Sequence, residues 1–235
     1  MIDTKSRSKE IELMDDFGMT GKTLIDTLDQ IAKINHLLGG NGLTMSGLRQ
    51  VLKKHPKNKS ISIVDLGCGN GDMLRLIADY GRKHGYSFRL VGIDANAHTI
   101  AYANKLSENY PEITYLTEDI LADDYQAVAC DLLLATLFLH HFTDKEIADV
   151  LRQHLKKTRM AVLVNDLHRH KMAYYLFRFV TLGIKNHMVK NDGAISILRG
   201  FKRKDLEVFS SELKAKSSIK WKWAFRYQWL LEPNT

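Results

Sequence analysis

A run of small residues stands between a predicted strand and a predicted helix, and its spacing indicates which ligand it suits. The run reads Val64-Asp65-Leu66-Gly67-Cys68-Gly69-Asn70-Gly71-Asp72. Small residues let the backbone approach a ligand, and the start of a helix offers unpaired N–H groups. A dinucleotide-binding loop would have a glycine where Asp72 stands. Because the carboxylate of Asp65 suits an ammonium group better than a pyrophosphate, the run favours a ligand with an amino-acid end over NAD.

The segments around this run predict alternating strands and helices. Apolar runs predict strands at residues 61–66, 88–93, 113–116 and 160–164, and another within 132–139, which is too long to be strand throughout. Helices are predicted at about 72–83, within 99–107, and after Thr143, which forms a capping box with Glu146. Two aromatic-rich strands are predicted at 219–223 and 225–231. This alternation implies a parallel sheet covered by helices on both faces.

The two ends of the chain have a different pattern. Residues 20–38 and 45–52 predict helices, with Gly39-Gly40 ending the first. The polar segment 53–59, which contains Pro56, predicts a linker. We therefore expect an N-terminal helical cap at 1–58 and a main domain at 59–235. Near the other end, residues 172–184 are apolar nearly all round, and residues 203–213 predict an amphipathic helix.

Composition and charge exclude several classes of protein. Hydrophobic residues make up 45% and charged residues 26% of the 235 residues, with 15 glycines and 3 prolines, which excludes disordered, collagen-like and coiled-coil chains. The net charge of +7 is unevenly distributed, at +3 over residues 1–60, −4 over 61–165 and +8 over 166–235. A uniformly basic nucleic-acid binder would not have an acidic middle, although a basic end segment could still bind RNA.

Three motifs in the correct order resemble class I S-adenosylmethionine-dependent methyltransferases. They are the glycine run that begins at Asp65, then Gly92-Ile93-Asp94, then Glu118-Asp119-Ile120. A weaker similarity, to the small-molecule methyltransferases of ubiquinone and menaquinone biosynthesis, extends to residues 12–16, 34–40, 164–169 and 191–193. The resemblance implies an α/β fold with a Rossmann-like seven-stranded sheet of order 3-2-1-4-5-7-6 and an antiparallel last strand. It also implies a lid inserted after strand 5, at about residues 168–202.

The same resemblance implies S-adenosylmethionine as cofactor, S-adenosylhomocysteine as product, and a set of residues that bind them. In the family, the acid at the position of Asp94 holds both ribose hydroxyls. The acid at Asp119 meets the adenine amino group, and Ile120 packs on the ring. Asp94 on its own would be read as a surface or helix-capping acid. The expected cofactor-binding residues are Asp65, Gly67, Cys68, Gly69, Asn70, Gly71, Asp94, Ala95, Asp119, Ile120, Thr136 and Leu137.

Candidate catalytic residues follow the fourth and fifth strands. Ligands of such sheets lie beyond the carboxyl ends of the strands, so residues 137–141 and 165–170 should border the transferred methyl group. A histidine with a pKa near ~6.5 could take the proton of a hydroxyl acceptor, and His140 and His141 are the first candidates. Asp166 and His168 come after them. The alternative is that the His-His pair serves packing or helix entry. No metal is expected, because no third ligand accompanies the pair at helical spacing.

The apolar segment at 173–180 has two interpretations. Its length and apolarity suit a buried core helix. Its place after the fifth strand suits a lid over an apolar acceptor, with the helix at 20–38 closing the other side, and its aromatic rings could also face the sulfonium. Basic residues near this segment could hold an anionic or carrier-linked acceptor, although most are expected to be solvated: Arg169, Lys171, Arg178, Lys190 and Arg199.

These observations predict a methyltransferase that acts on the hydroxyl of a small apolar or aromatic acceptor, such as a phenolic, polyketide or quinone-like compound. One alternative is an RNA methyltransferase that uses the basic final third. It is disfavoured because the stretch from Ala135 to Phe138 lacks the base-binding motif of RNA-modifying members. Another alternative is a non-catalytic partner of a carrier protein or a membrane surface. The intact set of acids at Asp65, Asp94 and Asp119 argues against that reading.

The remaining expectations concern the cellular environment. The two cysteines, Cys68 and Cys130, provide neither a disulfide framework nor a zinc site. The first residues lack the apolar core of a signal peptide, and no apolar stretch reaches the ~20 residues of a membrane span. We therefore expect a soluble, cytoplasmic protein, either a monomer or a homodimer, whose partner is a small molecule and not a nucleic acid.

Overall fold

The computed structural model describes residues 2–53, 55, 57–184 and 186–233. Seven strands form its central sheet: β1 (Ile61–Leu66), β2 (Phe88–Asp94), β3 (Ile113–Thr117), β4 (Cys130–Thr136), β5 (Thr158–Leu167), β6 (Lys216–Lys222) and β7 (Arg226–Glu232). Their order is β3-β2-β1-β4-β5-β7-β6. The pairs between β3 and β5 are parallel, and β7 is antiparallel to β5. The predicted sheet order and the antiparallel last strand are confirmed.

Helices cover both faces of this sheet. Among the described residues they are α1 (Gly21–Leu37), α2 (Gly40–Leu52), α3 (Asp72–His84), α4 (Ala97–Leu106), α5 (Asp144–Leu155), α6 (Lys171–Val180), α7 (His187–Arg199) and α8 (Arg203–Leu213). Short 3-10 helices occupy Leu13–Asp15 and Leu139–His141. No helix in the described part of the chain combines the length and the apolarity that a membrane span needs.

Two apolar cores hold these helices against the sheet. In β5, Val162 and Val164 belong to one core, whereas Ala161 and Leu163 belong to the other. Because both faces of the inner strands are buried, such strands are apolar throughout instead of alternating with polar residues. Trp229 of β7 lies opposite Val164 in the antiparallel register and is fully buried in the first core. The two aromatic strands therefore complete the sheet, because β7 pairs with the edge of β5 and β6 pairs with β7.

Some predicted boundaries shift for local reasons. The second helix begins at Gly40 instead of Met45, because Gly39 has a left-handed conformation (φ 72°) that turns the chain directly into α2. The apolar run at 132–139 is strand only as far as Thr136, and Leu139 starts a 3-10 helix. The predicted linker includes Lys54 and Pro56, which lie outside the described residues.

The helix α2 shares a core with the sheet, whereas α1 lies over the strand ends. Leu48 of α2 belongs to the same apolar core as Leu163 of β5. The two elements approach closely at Gly47, where an added Cβ would lie 2.7 Å from Leu163. By contrast, α1 buries only Leu24, Thr27 and Leu28. The division of the chain at residue 58 remains a proposal, with α1 as the part of the cap nearest the site.

The helix α6 is not a core helix. Of its residues only Ala173 is buried, whereas Met172 is 65% and Phe179 is 71% exposed. The interpretation of this apolar segment as ordinary core is therefore wrong. The helices α6 and α7 occupy the stretch between β5 and α8, which is where the lid is expected.

Candidate active site

The glycine run forms a tight loop between β1 and α3. Gly67, Gly69 and Gly71 have φ angles of 63°, 52° and 77°, which residues with side chains rarely adopt. Space is also restricted: a Cβ on Gly67 would lie 2.1 Å from the ring of Phe138, and one on Gly71 would lie 2.0 Å from the hydroxyl of Tyr115. The loop therefore requires glycine for both conformation and room, and it leads directly into the N-terminus of α3.

Asp65, near the end of β1, is a buried carboxylate with an unsatisfied oxygen. It is 2% exposed, and its Oδ1 has no hydrogen-bond partner among the described residues. Burial raises the pKa of Asp65 well above its usual range, and the carboxylates of Asp72 and Asp94 raise it further. A buried acid in this situation is stabilised by a cation. The site therefore fits a ligand that brings an ammonium group to the glycine loop.

Asp94 connects the same loop to the end of β2. Its Oδ2 accepts the N–H of Gly69 at 3.2 Å, and its Oδ1 accepts the N–H of Asn96 at 3.0 Å. Burial raises the pKa of Asp94, while these two N–H groups and the charge of His141 oppose the rise. Asp94 and Ala95 both line the main cavity. A diol such as that of a ribose could donate hydrogen bonds to the carboxylate there.

Three further residues of the predicted cofactor site also line the cavity. Asp119 is exposed in the cavity wall, and its Oδ1 accepts the N–H of Leu121 at 2.9 Å. The buried Ile120 lies beside it. Leu137 lines the cavity after β4 with a positive φ of 52°, and its N–H donates to the carbonyl of Asn165 at 2.8 Å. These groups follow β3 and β4, as a site at the carboxyl edge of the sheet requires.

The other predicted cofactor residues support the loop without lining the cavity. The side chain of Asn70 accepts the N–H of Asp72 at 3.2 Å. The hydroxyl of Thr136 lies 3.1 Å from that of Thr44. Cys68 and Cys130 are both buried free thiols, and burial raises the pKa of Cys68 well above its usual range. Cys68, Asn70 and Thr136 are thus not among the residues that line the cavity, and neither are Asp65 and Gly71.

The cavity has a volume of about 1400 Å³. It lies beyond the carboxyl ends of the inner strands, between α1 on one side and α6 and α7 on the other. A pocket for one small ligand usually measures roughly 300–1000 Å³, so a cofactor leaves room for a second molecule. The wall is mainly apolar, with contributions from Leu24, Leu28, Ile31, Leu37, Leu137, Phe138, Leu176, Phe177 and Val180.

His140 lines the cavity and forms a buried pair with Asp166. Nδ1 of His140 lies 2.7 Å from Oδ1 of Asp166, and the backbone N–H of His140 donates to Oδ2 at 3.3 Å. Burial alone would raise the pKa of Asp166, but the charge of His140 and the hydrogen bond to it outweigh burial, and the pKa is lowered. Since the ionised carboxylate can only accept, Nδ1 of His140 carries a hydrogen, and Nε2 is the ring nitrogen left to exchange a proton.

His141 forms a second pair with an acid that precedes α1. Its Nδ1 lies 2.6 Å from Oδ1 of Asp15, and Nη1 of Arg199 donates to Oδ2 of Asp15 at 2.8 Å. Burial would raise the pKa of Asp15, but the hydrogen bond and charge of His141, together with Arg199, lower it to about 2. The His-His pair therefore has two ionised partners, one from β5 and one from the N-terminal segment.

Glu12 completes the cluster and was not among the predicted site residues. It is 3% exposed, its Oε2 accepts the hydroxyl of Ser196 at 2.6 Å, and its Oε1 has no hydrogen-bond partner among the described residues. Oε1 lies 3.8 Å from Nε2 of His140 and 3.9 Å from Nδ1 of His141. Burial raises the pKa of Glu12, while the charge of His141 opposes the rise. The only sequence signal for Glu12 was the weak similarity at residues 12–16.

The position of Glu12 bears on the expectation of no metal. That expectation rested on the lack of a third ligand at helical spacing, and Glu12 supplies a third candidate ligand from the N-terminal segment. One atom each of Glu12, His140 and His141 lie within 4.8 Å of one another. Nε of Arg199 also lies 3.8 Å from Oε1 of Glu12. The guanidinium already brings a positive charge to the place where a cation would bind.

Two of the five basic residues near the cavity differ from the expectation of solvated side chains, whereas Lys171 and Arg178 are exposed as expected. Nε of Arg199 donates to the carbonyl of His140 at 3.0 Å, and Nη1 of Arg169 donates to the carbonyl of Gly200 at 2.5 Å. Both guanidinium groups are buried and hold the backbone. Arg226, which sequence reasoning missed, lines the cavity and is 2% exposed.

The guanidinium of Arg226 is only partly satisfied. Its Nη2 donates to Oδ1 of Asn35 at 3.0 Å, whereas Nε and Nη1 have no hydrogen-bond partner among the described residues. Burial lowers the pKa of Arg226 to about 10, against the charge of Asp166. Arg226 is thus a buried cation that an anionic ligand would stabilise.

His168 is not brought to this cluster. Its Nδ1 accepts the indole N–H of Trp221 at 3.1 Å, and its ring packs edge-on against Tyr227. Burial lowers the pKa of His168 to about 4, and the charge of His170 contributes. His168 does not line the cavity. Of the four predicted catalytic residues, the structure therefore groups His140, His141 and Asp166, and leaves His168 outside the group.

Comparison with known proteins agrees with this geometry. A family model described as "Methyltransferase domain" matches residues 63–193, which is more than half of the chain. The chain is 44% identical over 59 residues to a 2-phytyl-1,4-naphtoquinone methyltransferase of Thermosynechococcus vestitus. That match covers 25% of this chain and 25% of the relative, so it spans only a quarter of the relative's length.

Solved structures with the same fold cover most of the chain. The plantazolicin methyltransferase BpumL in complex with SAH has a TM-score of 0.64 at 17% identity, with 90% of this chain and 89% of that chain covered. The CurJ carbon methyltransferase has a TM-score of 0.61 at 14% identity, with 82% of this chain and 54% of that chain covered. At such identities the similarity concerns the fold.

Proposed function

The chain belongs to the methyltransferase domain family, and we propose that it transfers the methyl group of S-adenosylmethionine to a hydroxyl oxygen of a small, apolar, aromatic acceptor. The acceptor class comprises phenolic, polyketide and quinone-like compounds. The observation that carries the proposal is the buried pair of His140 and Asp166, of which His140 lines an apolar cavity large enough for two ligands. Such a pair is the arrangement of a general base and the group that orients it.

The cofactor is S-adenosylmethionine, and three features of the site fit it. The unsatisfied carboxylate of Asp65 suits the amino group, Asp94 suits the ribose hydroxyls, and Asp119 with Ile120 suits the adenine ring. The glycine loop has no room for side chains where the backbone must approach the ligand. When bound, the cofactor supplies a methyl group that is already activated by a positively charged sulfur.

The chain's own contribution is to align the acceptor, exclude water and remove a proton. His140 accepts the hydroxyl proton at Nε2, because Nδ1 is occupied by the hydrogen bond to Asp166. The ionised Asp166 then stabilises the imidazolium. The helices α1, α6 and α7 enclose the cavity and act as the cap and the lid, so that the reaction is shielded from water.

His141 is the second candidate for the base. It lines the cavity, and Asp15 holds its Nδ1 as Asp166 holds that of His140. His140 is preferred because its partner Asp166 is held in β5 and buried, whereas the side chain of Asp15 is 23% exposed. Fixed geometry matters more than access for a base that acts on a bound acceptor.

Arg226 supports an acceptor that carries a negative charge. Two of its N–H-bearing nitrogens lack partners among the described residues, and its side chain is part of the cavity wall.

We also propose that the protein is cytoplasmic, that it is a monomer or a homodimer, and that its acceptor can be linked to a carrier. The two free cysteines are consistent with a reducing compartment.

Calorimetric titration with S-adenosylmethionine and S-adenosylhomocysteine is the first test, and we expect both to bind. Methyl transfer to a panel of phenols and quinols should then give methoxy products, identified by mass spectrometry and NMR. Absence of binding by either compound would overturn the enzyme assignment. A product methylated on carbon or nitrogen would overturn oxygen as the acceptor atom. Salt-sensitive RNA binding with methylated RNA as product would favour the RNA alternative.

A further inference from the structure

The helix α6 exposes the apolar face that an amphipathic helix normally buries. Met172, Tyr175, Leu176 and Phe179 recur at the spacing of one helix face, and all four are exposed. The helix buries only Ala173. Single exposed apolar residues are common, but a continuous row of large ones marks an interaction surface.

This exposed face continues to the mouth of the cavity. Leu176 and Val180 are exposed and also line the cavity. On the opposite rim, Leu37 at the end of α1 lines the cavity and is 81% exposed. An apolar molecule that left a lipid phase at this surface could therefore enter the cavity without crossing water.

Aromatic residues of the β6–β7 turn extend the surface beyond the start of α6. The ring of His170, which caps α6, stacks on Phe225 with 5.3 Å between centroids, and Trp223 lies 5.8 Å from the same ring. Trp223 is 65% exposed. Tryptophan is favoured at membrane–water interfaces because its ring is apolar and its N–H is polar.

The charged residues of α6 itself are positive. Lys171 and Arg178 are exposed on α6, and the helix contains no acidic residue. Residues 166–235 as a whole carry a net charge of +8. A helix with an outward apolar face and flanking cations has the character of helices that lie in the surface of an anionic bilayer.

We propose that α6 and the β6–β7 turn bind the surface of an anionic lipid bilayer, with the cavity mouth facing the lipid. A second copy of the chain is a poorer occupant, because a two-fold contact through this face would bring the cations Lys171 and Arg178 of one copy close to the same pair on the other. The proposal of membrane binding is supported by the surface residues alone. Delivery of an apolar acceptor from the bilayer rests in addition on the proposed function.

Co-sedimentation with vesicles tests the proposal. The full chain should bind vesicles that mix phosphatidylcholine with phosphatidylglycerol, bind pure phosphatidylcholine vesicles much more weakly, and lose affinity at high salt. The double variant Met172→Ser/Phe179→Ser and the double variant Lys171→Gln/Arg178→Gln should each lose about tenfold or more in affinity. Val208→Ser is the matched control, because Val208 is 48% exposed on α8 and its loss should change nothing.

Two further measurements separate the possible outcomes. Cofactor titration should be the same for both double variants and the original chain, because none of the four residues lines the cavity. If vesicle binding is absent, or is equal in all variants, the membrane proposal is wrong. If sedimentation velocity shows a dimer that the Met172→Ser/Phe179→Ser variant disrupts, the occupant is a second copy. If vesicles bind but no phenol is methylated, the proposed acceptor class is wrong, whereas the proposal of membrane binding is supported.

Discussion

Nδ1 of His140 lies 2.7 Å from Oδ1 of Asp166, and both side chains are buried at the edge of a cavity that also reaches Asp94. This relationship joins the loop after β4 to the end of β5, and it sets the tautomer of the histidine. The same edge of the sheet therefore contains the acids proposed to bind the cofactor and a histidine whose Nε2 lies 3.8 Å from Oε1 of Glu12.

The first prediction concerns this pair. His140→Gln should lower kcat by about 10²- to 10⁴-fold, because a general base contributes that much, while leaving cofactor affinity within a few-fold. Asp166→Asn should lower kcat as well, since it no longer enforces the tautomer. Single-turnover rates and cofactor titrations measure the two effects. His141→Gln is the comparison, and a larger loss in that variant would move the role of base to His141.

Asp65→Asn should separate affinity from stability. The variant loses the anionic partner of the cofactor's amino group, so we expect affinity for S-adenosylhomocysteine to fall by about tenfold to a hundredfold. Its free energy of unfolding should not fall, because burial already disfavours the charged form of Asp65. Urea unfolding and calorimetry measure the two quantities. Asp79→Asn on the outer part of α3 is the control, and equal affinity in both variants would contradict the assignment.

The acid dependence of stability should reveal Asp15. Its pKa is lowered to about 2 in the folded chain. The ionised form is thus stabilised by folding, and its contribution is present above about pH 4 and lost as the pH falls toward 2. Asp15→Asn should cost about 1 kcal/mol at neutral pH, after allowance for partial exposure. The difference from the original chain should shrink below pH 4 in urea titrations.

Asp26→Asn is the control for this experiment, because it removes a carboxylate from the exposed side of α1. A difference for Asp15→Asn that stays constant between neutral and acidic pH would show that the ion pairs of Asp15 do not contribute as described.

Removal of divalent metal ions should leave methyl transfer unchanged. Although Glu12, His140 and His141 lie close together, Nε of Arg199 lies 3.8 Å from Oε1 of Glu12 and Asp15 holds Nδ1 of His141. Activity after dialysis against a chelator, together with the metal content of the purified protein, checks this expectation. One zinc ion per chain, with activity lost on chelation and restored by zinc, would contradict it.

Arg226→Met should discriminate between acceptors by charge. We expect KM to rise about tenfold for an anionic acceptor and to stay the same for a neutral one of similar shape, because the variant removes a buried cation of the cavity wall. The free energy of unfolding should be unchanged or higher, since two of the guanidinium nitrogens lack partners. Lys190→Met is the control. An equal rise in KM for both acceptors would mean that Arg226 acts through packing alone.

The fold was predictable, and the residues proposed to bind the cofactor could be identified, because both depend on motifs in a fixed order along the chain. Gly67, Gly69 and Gly71 adopt positive φ angles, which explains why glycines stand at these positions. Asp94 ends β2, and Asp119 follows β3, which is the next strand along the chain. Parallel strands place their carboxyl ends at one edge. The order of the motifs therefore predicts that these acids meet, whatever the details of packing.

The acceptor half of the site depends on contacts between distant segments. Glu12 and Asp15 reach the histidines because the N-terminal segment packs against α7, where Ser196 and Arg199 bind them. His168 does not join the cluster, because its ring accepts the indole N–H of Trp221 and packs edge-on against Tyr227.

The outward face of α6 has the same kind of origin. Its apolar spacing is equally compatible with a core helix. Whether the face is buried depends on the segments that pack against it in the folded chain. Periodicity identifies that a helix has an apolar face. It does not identify what covers that face, because the covering surface is a segment distant in the sequence or a separate partner such as a lipid bilayer.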